Sequence, residues 1–594
     1  MRRFAVGCLA TVGALALLTI IVLVGLGWYA TRTVSDRLQA SFQSGFASEP
    51  MEMPERIILE LDLRGGIDER VPEAQLRQLG INVGLDVPLA IFALRAAVDD
   101  ARVVGLLARV DGEGGGLSRV QEFRDAILAL REAGKFTYAW SDSFGEFGPG
   151  QSGYYLATAF EDIAMQPLGA VGLTGLRAEL FFLKDTLAAY GVEMEVGKRE
   201  EYKSALDMLT ESQLDAPNEQ ALRSMLDSLE AQMLQGLTAQ RGLSAAAAET
   251  AFNDGPYVAA DALELGLIDR LAYWDEAVAS AEDAGNGAER VSLNDYANAR
   301  LAALDVPDGA PGLAFIHASG PIHAGESTPG GFGEGFSIGA DTVADAFQEV
   351  IDSDEIQAVL FRVDSPGGSA VASETIGRQI RRTIERGKPV IVSMGDVAAS
   401  GGYWISMDSS LIVAQPTTIT GSIGVIIGKP NIEGLLADNQ INHTVVGRDN
   451  NGSMWSIAEP YSNRGRAKVE DFLDHTYSAF LEGVAQGRDL SVAQVRDLAG
   501  GRVWTGAQAL ELGLVDQSGG LYEAYNAAKE AMGLGPDDEV ELITLPRTED
   551  PFSFVWSLFG VKATTLPPEL SVLRSELERL IHAEPVRAPE LLIR

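Results

Sequence analysis

Gly395-Asp396-Val397-Ala398-Ala399-Ser400-Gly401-Gly402-Tyr403-Trp404 sets one serine among small residues, with two aromatic residues directly behind them. The run Pro389 to Met394 ahead of it reads as a buried strand, and Tyr403 to Met407 as the start of a helix. A serine at a strand-to-helix turn has its hydroxyl held at the carboxyl edge of a sheet, near free backbone N–H groups. Ala398, Ala399, Gly401 and Gly402 leave room for an acyl group to approach. Small-Ser-Gly-Gly turns are mostly structural, so a catalytic reading needs support from elsewhere in the chain.

The pattern around this turn occurs twice. From Arg56 onward, strand-like segments fall at Ile57 to Leu63, Val103 to Val110, Lys135 to Trp140 and Ile163 to Pro167. Between them, Arg119 to Arg131 carries Val120, Phe123, Ile127 and Leu130 on one helical face, and Tyr154 opens a buried helix. Leu313 to Ala318, Ile356 to Val363, a helix bearing Ile376, Ile380 and Ile384, and Pro389 to Met394 repeat that order. Gly153-Tyr154-Tyr155-Leu156 matches Gly402-Tyr403-Trp404-Ile405, and Gln166-Pro167 matches Gln415-Pro416, both 249 residues apart. Ala262-Leu263-Glu264-Leu265-Gly266-Leu267 recurs as Ala509-Leu510-Glu511-Leu512-Gly513-Leu514, 247 residues apart. Three matches in register mean a tandem duplication of a unit of about 250 residues. Each unit is expected to be an α/β domain with a largely parallel sheet. The division read from the sequence is an N-terminal membrane anchor (1–30), a linker (31–55), a first repeat (56–300), a second repeat (301–545) and a tail (546–594).

The 594-residue chain is too long for one compact core, in line with two domains. A net charge of −38 leaves no basic face for phosphates and argues against nucleic acid as a partner. The single cysteine, Cys8, excludes a disulfide framework and a thiolate metal site within one chain. His317, His323, His443, His475 and His582 lack ligand spacing, so neither a metal nor a cofactor is expected. Met1-Arg2-Arg3 precedes an uncharged run from Phe4 to Ala30 that closes on Trp28-Tyr29. That run is long enough to cross a bilayer, with its aromatic pair at the interface. Trp28-Tyr29-Ala30 lacks a small-x-small cleavage pattern, so an uncleaved anchor is expected, with the rest of the chain outside the cytoplasm. The apolar run Phe552 to Phe559 in the tail suits core packing first, with a neighbouring subunit or the membrane surface as the other readings.

Ser400 falls on Gln151 when the repeats are superposed in sequence, so the first repeat lacks the serine. A serine needs a base to attack a carbonyl, and no histidine lies near the aligned motifs. A lysine serves if burial keeps it neutral. The chain holds only nine lysines against 37 arginines. Lys203 stands out in Glu201-Tyr202-Lys203-Ser204-Ala205-Leu206, just past the strand-like Val192 to Gly197. In the second repeat Val446-Gly447 leads into Arg448 and Asp449, without a lysine. One repeat therefore keeps the serine and the other the lysine. Asp364-Ser365-Pro366-Gly367-Gly368-Ser369 follows a strand and opens a helix, where N–H groups suit a developing oxyanion.

Asp364-Ser365-Pro366-Gly367-Gly368, the Ala-Ala-Ser400-Gly-Gly-Tyr-Trp motif, Gln415-Pro416 through Gly421-Ser422-Ile423-Gly424, and Tyr202-Lys203-Ser204-Ala205 together resemble the long, duplicated form of the bacterial signal peptide peptidase A family. The resemblance runs from the anchor to about residue 540. It implies a Clp-protease/crotonase-like fold in each repeat, and a serine protease of the inner membrane that faces the periplasm and degrades released signal peptides. It also implies a Ser/Lys dyad with Ser400 as nucleophile and Lys203 as general base, oxyanion donors at the N–H of Gly368 and of Gly401, and a homotetramer. The segment Lys198-Arg199-Glu200-Glu201 departs from the family in its charge. Two other readings stay open at this level. A Ser-His-Asp hydrolase would draw on His443 or His475, and an inactive membrane scaffold would use the fold for assembly alone.

Overall fold

The computed structural model describes residues 53–546, apart from 65, 67, 71–84, 113–114, 304–308, 332–333 and 448–450, together with 591–593. The anchor expected over Phe4 to Ala30 and the aromatic run Phe552 to Phe559 lie outside the described residues. Among the described residues no helix is long and apolar enough to cross a membrane.

The first repeat builds one sheet from β1 (Ile57–Asp62), β2 (Val103–Arg109), β3 (Phe136–Ser141), β4 (Asp162–Met165) and two short strands, Arg270–Leu271 and Glu289–Ser292. Every pairing in this sheet is parallel. Helices α1 (Val87–Asp99), α2 (Leu117–Glu132) and α3 (Gln151–Ala157) make the crossovers. The apolar stripe predicted for α2 is the one it buries: Val120, Phe123, Ile127 and Leu130 all lie in the core of the first repeat.

The second repeat repeats the order with β5 (Gly312–Ser319), β6 (Ile356–Ser365), α4 (Ala370–Glu385), β7 (Val390–Ala399), α5 (Gly401–Trp404) and β8 (Leu411–Ala414). Its central pairs are again parallel. One strand differs from the sequence expectation. The run Pro389 to Met394 continues through the Gly395 turn to Ala399, directly against Ser400. The extension forms because Val397, Ala398 and Ala399 find a new neighbour, Ile419–Gly421, after the register shifts past Met394.

The two repeats meet along a seam that mixes apolar packing with buried charge. Phe92 of α1, 3% exposed, packs edge-on against Tyr525 with ring centroids 5.5 Å apart. Burying such a ring stabilises by roughly 1.5–3 kcal/mol. Arg362 of β6 is fully buried and bonds Glu69 (2.7 and 3.0 Å) and Glu122 (2.7 Å), both from the first repeat. Burial pushes the Glu122 carboxyl up to about 7 against the pull of Arg362. For Glu69 the burial penalty is outweighed by Arg362 and His317, which hold it below the usual carboxylate range. A second clasp runs the other way. Asp396 of β7 accepts from the Ser118 and Arg119 amides (both 3.1 Å) and pairs with the Arg119 side chain, capping the start of α2. The N-cap of α2 is Gly116, which has no side chain for the task, so the other repeat supplies it.

Candidate active site

Ser400 sits between β7 and α5 with φ +55°, a left-handed conformation rare for a residue with a side chain. Its amide donates to Gly421 O at 2.9 Å, which fixes the turn. Gly367 and Gly368 press against it. A Cβ on Gly367 would lie 2.6 Å from Gly401 N, so the backbone comes this close only because the residue is glycine. Among the described residues the amides of Gly368 and Gly401 have no acceptor. Two N–H donors thus stand free beside one hydroxyl.

Lys203 comes from the other repeat, and a single ladder brings it there. Strand β9 (Glu193–Arg199) of the first repeat pairs antiparallel with β10 (Val425–Asn431) of the second, from Arg199 opposite Val425 to Glu193 opposite Asn431. The ladder ends where Lys203 and Ser422 follow and precede it. Tyr202 N then donates to Gly500 O (3.0 Å), and Gly501, donating to Ile423 O, packs on the Lys203 backbone. The result is a hydrogen bond of 2.9 Å between Lys203 Nζ and Ser400 Oγ. Lys203 is 4% exposed, and burial lowers its pKa from 10.5 to about 8. About a tenth of such amines are neutral at pH 7 and most above pH 8.

Lys203 Nζ also bonds Ser422 Oγ (2.9 Å) and donates to Ser422 O (3.0 Å). Ser422 lies within the Gly421-Ser422-Ile423-Gly424 motif, where its residue type alone gives it no role. The signal was present in the duplication: at the matching place the first repeat has the buried Leu173, just as it has Gln151 for Ser400. Gln151 Nε2 donates to Thr174 Oγ1 (3.1 Å) and Gly175 O (2.5 Å), so that pocket is closed on itself. The charged segment ahead of Tyr202 pairs away from the serine. Lys198 bonds Asp207, Arg199 bonds Glu470 and Asp474, and Glu200 lies 3.6 Å from Arg496. Below the turn, Asp364 Oδ1 accepts from Val397 N (3.0 Å), and burial pushes its carboxyl up to about 6. Of the described histidines none bonds Ser400; His443 and His475 are exposed, His317 faces Glu69 and His323 bonds Ser337. Among the described residues no cluster of ligating side chains could hold a metal ion.

A hydroxyl bonded to a buried amine, with amides free beside it, is equipped for acyl transfer rather than for redox or phosphoryl chemistry. Proteins known by sequence point the same way, and the class is that of the serine proteases. A profile of peptidase family S49 matches residues 130–287 and 382–535, one segment in each repeat. The chain belongs to that family. It is 30% identical over 521 residues to Protease 4 of Haemophilus influenzae, which covers 82% of each chain. It is 29% identical to the chloroplastic serine protease SPPA of Arabidopsis thaliana, over 92% of this chain and 80% of that one. A shorter match, 32% identical over 36% of this chain and 64% of the relative, is to a putative signal peptide peptidase SppA of Enterococcus faecium.

Proposed function

We propose that the protein is a membrane-anchored endopeptidase in which Ser400 is the nucleophile and Lys203 the general base, acting on released signal peptides and other apolar peptides. The observation that carries the chemistry is the 2.9 Å contact between Ser400 Oγ and a buried Lys203 amine. Neutral Lys203 takes the seryl proton as Oγ attacks the peptide carbonyl carbon. The carbonyl oxygen, now an oxyanion, accepts from the Gly368 and Gly401 amides. The Lys203 ammonium then gives its proton to the leaving amine, and an acyl-serine remains. Water, deprotonated by Lys203, attacks that ester, and the Lys203 ammonium returns the proton to the departing Ser400 Oγ. Ser422 holds the Lys203 amine in line throughout, through its hydroxyl and its carbonyl.

The substrate class rests on the name of the Enterococcus relative and on the small residues around Ser400. The anchor over Phe4 to Ala30 supports an inner-membrane protein with its catalytic part in the periplasm. The parallel order within each repeat suits a Clp-protease/crotonase-like unit, and the family resemblance suggests a homotetramer. Ser400→Ala is expected to abolish hydrolysis of a fluorogenic apolar peptide by the detergent-solubilised full chain, with an unchanged circular dichroism spectrum. Turnover at the wild-type rate in that variant overturns the assignment.

A further inference from the structure

We propose that Asp396 is a positioning residue for Ser400: it ties the segment that ends in the serine to the N-terminus of α2, in the repeat that supplies the lysine. The proposal rests on the reading of Ser400 and Lys203 as nucleophile and base. It starts from how that segment is held. β7 pairs with β6 from Val390 to Met394 and then meets it again at Ala398. In the gap the Asp364 carboxylate takes the place of a strand neighbour and accepts from Val397 N (3.0 Å). On the other edge Val397 to Ala399 pair with Ile419–Gly421. Thr418 Oγ1 adds a bond to Gly395 O (2.9 Å), and Thr420 Oγ1 one to Ala398 O (2.7 Å). The turn closes at Ser400, whose amide donates to Gly421 O (2.9 Å). All of these partners belong to the second repeat. They set the segment within that repeat and leave its place against the first repeat open.

Asp396 supplies the missing relation. Its Oδ1 accepts from the amides of Ser118 and Arg119 (both 3.1 Å), and its Oδ2 from the Arg119 side chain. These are the second and third amides of α2, the ones an N-cap side chain serves. A carboxylate there also meets the positive end of the helix dipole. The Asp396 side chain is 15% exposed, so water weakens these bonds little. The same helix end touches the segment at a second point. Thr418 gives its proton to Gly395 O, so Ser118 Oγ is the donor in its 3.0 Å contact with Thr418 Oγ1.

This approach requires a glycine, because a Cβ on Gly116 would fall on the Asp396 carboxyl. α2 has little freedom to retreat, since Val120, Phe123, Ile127 and Leu130 fix it in the core of the first repeat. The residues from Asp396 to Ser400 are thus pinned at both ends, by α2 at one and by Gly421 O at the other. Lys203 also comes from the first repeat, and its amine lies 2.9 Å from Ser400 Oγ. Asp396 therefore sets the serine against the repeat that carries its base. It bonds neither Ser400 nor Lys203, so it acts through where the serine stands. A misplacement of about 1 Å is enough to cost roughly 100-fold in rate.

The test uses the detergent-solubilised full chain, titrated to completion with a fluorophosphonate so that turnover is counted per reactive serine. Asp396→Ala is expected to lower kcat for a fluorogenic apolar peptide roughly 100-fold per titrated serine, with KM changed less than about twofold. Asp396→Asn keeps an oxygen for both amides, and its kcat is expected to stay within about fivefold of wild type. Gly116→Ala displaces the carboxyl and is expected to match Asp396→Ala, and the two changes together are expected to cost no more than either alone. If Asp396→Ala has wild-type kcat per titrated serine and merely fewer titratable chains, Asp396 serves folding alone and the proposal falls. An asparagine variant as slow as the alanine variant overturns the role of the helix amides. Losses that multiply in the double variant overturn the shared contact, and Gly116→Ala and Asp396→Asn keep the test decisive should Asp396→Ala fail to fold. Turnover by Ser400→Ala overturns the nucleophile itself, a result separate from these.

Discussion

Lys203 is the residue on which the chemistry and the stability of this protein pull in opposite directions. Burial lowers its pKa to about 8, so the neutral form, the base in the proposed mechanism, grows as pH rises through that value. The rate of peptide cleavage is expected to climb between pH 7 and 9 and level off, measured as kcat/KM. Lys203→Arg is expected to be as inactive as Lys203→Ala at every pH, because a guanidinium stays protonated. An active arginine variant would mean the lysine supplies charge or packing alone. The unfolded chain binds a proton on this side chain up to about 10.5, whereas the folded chain releases it near 8. Folding is therefore penalised below pH 8, and the penalty fades as pH rises to about 10.5. Lys203→Met is expected to stabilise the inactive protein by about 3 kcal/mol at pH 7, read from urea unfolding. A destabilised methionine variant would show that the bonds to Ser400 and Ser422 outweigh the cost of burial.

At the scale of elements, two features hold the halves of the site together: the β9–β10 ladder and the charged seam. The ladder is local to the lysine, since it ends within a few residues of both Lys203 and Ser422. The seam lies behind β7. Arg362 reaches out of β6 to two first-repeat carboxylates, and β6 pairs with β7, which carries Ser400 at its end. Removing the arginine leaves the buried Glu122 without its cation and Glu69 with His317 alone. Arg362→Met is expected to destabilise by about 3–5 kcal/mol, and Met at 69, 122 and 362 together to recover a good part of that loss. Equal urea midpoints for Arg362→Met and the wild type would show that the triad adds nothing to the seam. The predicted segments matched the observed strands and helices well where the apolar period was clear, as in α2. They fell short at β7, because Gly395 and Asp396 carry no strand signal and the extension is paid for by pairing with Ile419–Gly421.

For the whole molecule, the duplication accounts for one serine–lysine pair where two repeats stand. Lys203 and Ser400 meet within one chain, across the two repeats. Co-assembled Ser400→Ala and Lys203→Ala chains are therefore expected to stay inactive. Recovery of a substantial fraction of wild-type turnover in such mixtures would place the working pair between chains instead. In the first repeat Gln151 and Leu173 stand where the second has Ser400 and Ser422, and its own pocket is sealed by the Gln151 side chain.

The amino-acid sequence by itself determined the duplication, the α/β alternation, the serine turn and the complementary loss of serine and lysine. These are matters of period, spacing and residue identity, which a chain carries locally. Tertiary structure alone decided that β9 crosses to β10, that Lys203 is dry enough to be neutral near pH 8, and that Ser422 holds it. It also decided that Arg362, Glu69 and Glu122 share one buried site. A strand edge does not announce its partner, and Lys203 and Ser400 stand 197 residues apart in the chain. A lysine's proton affinity depends on how much water surrounds it, and that is set by the packing of segments far apart in sequence.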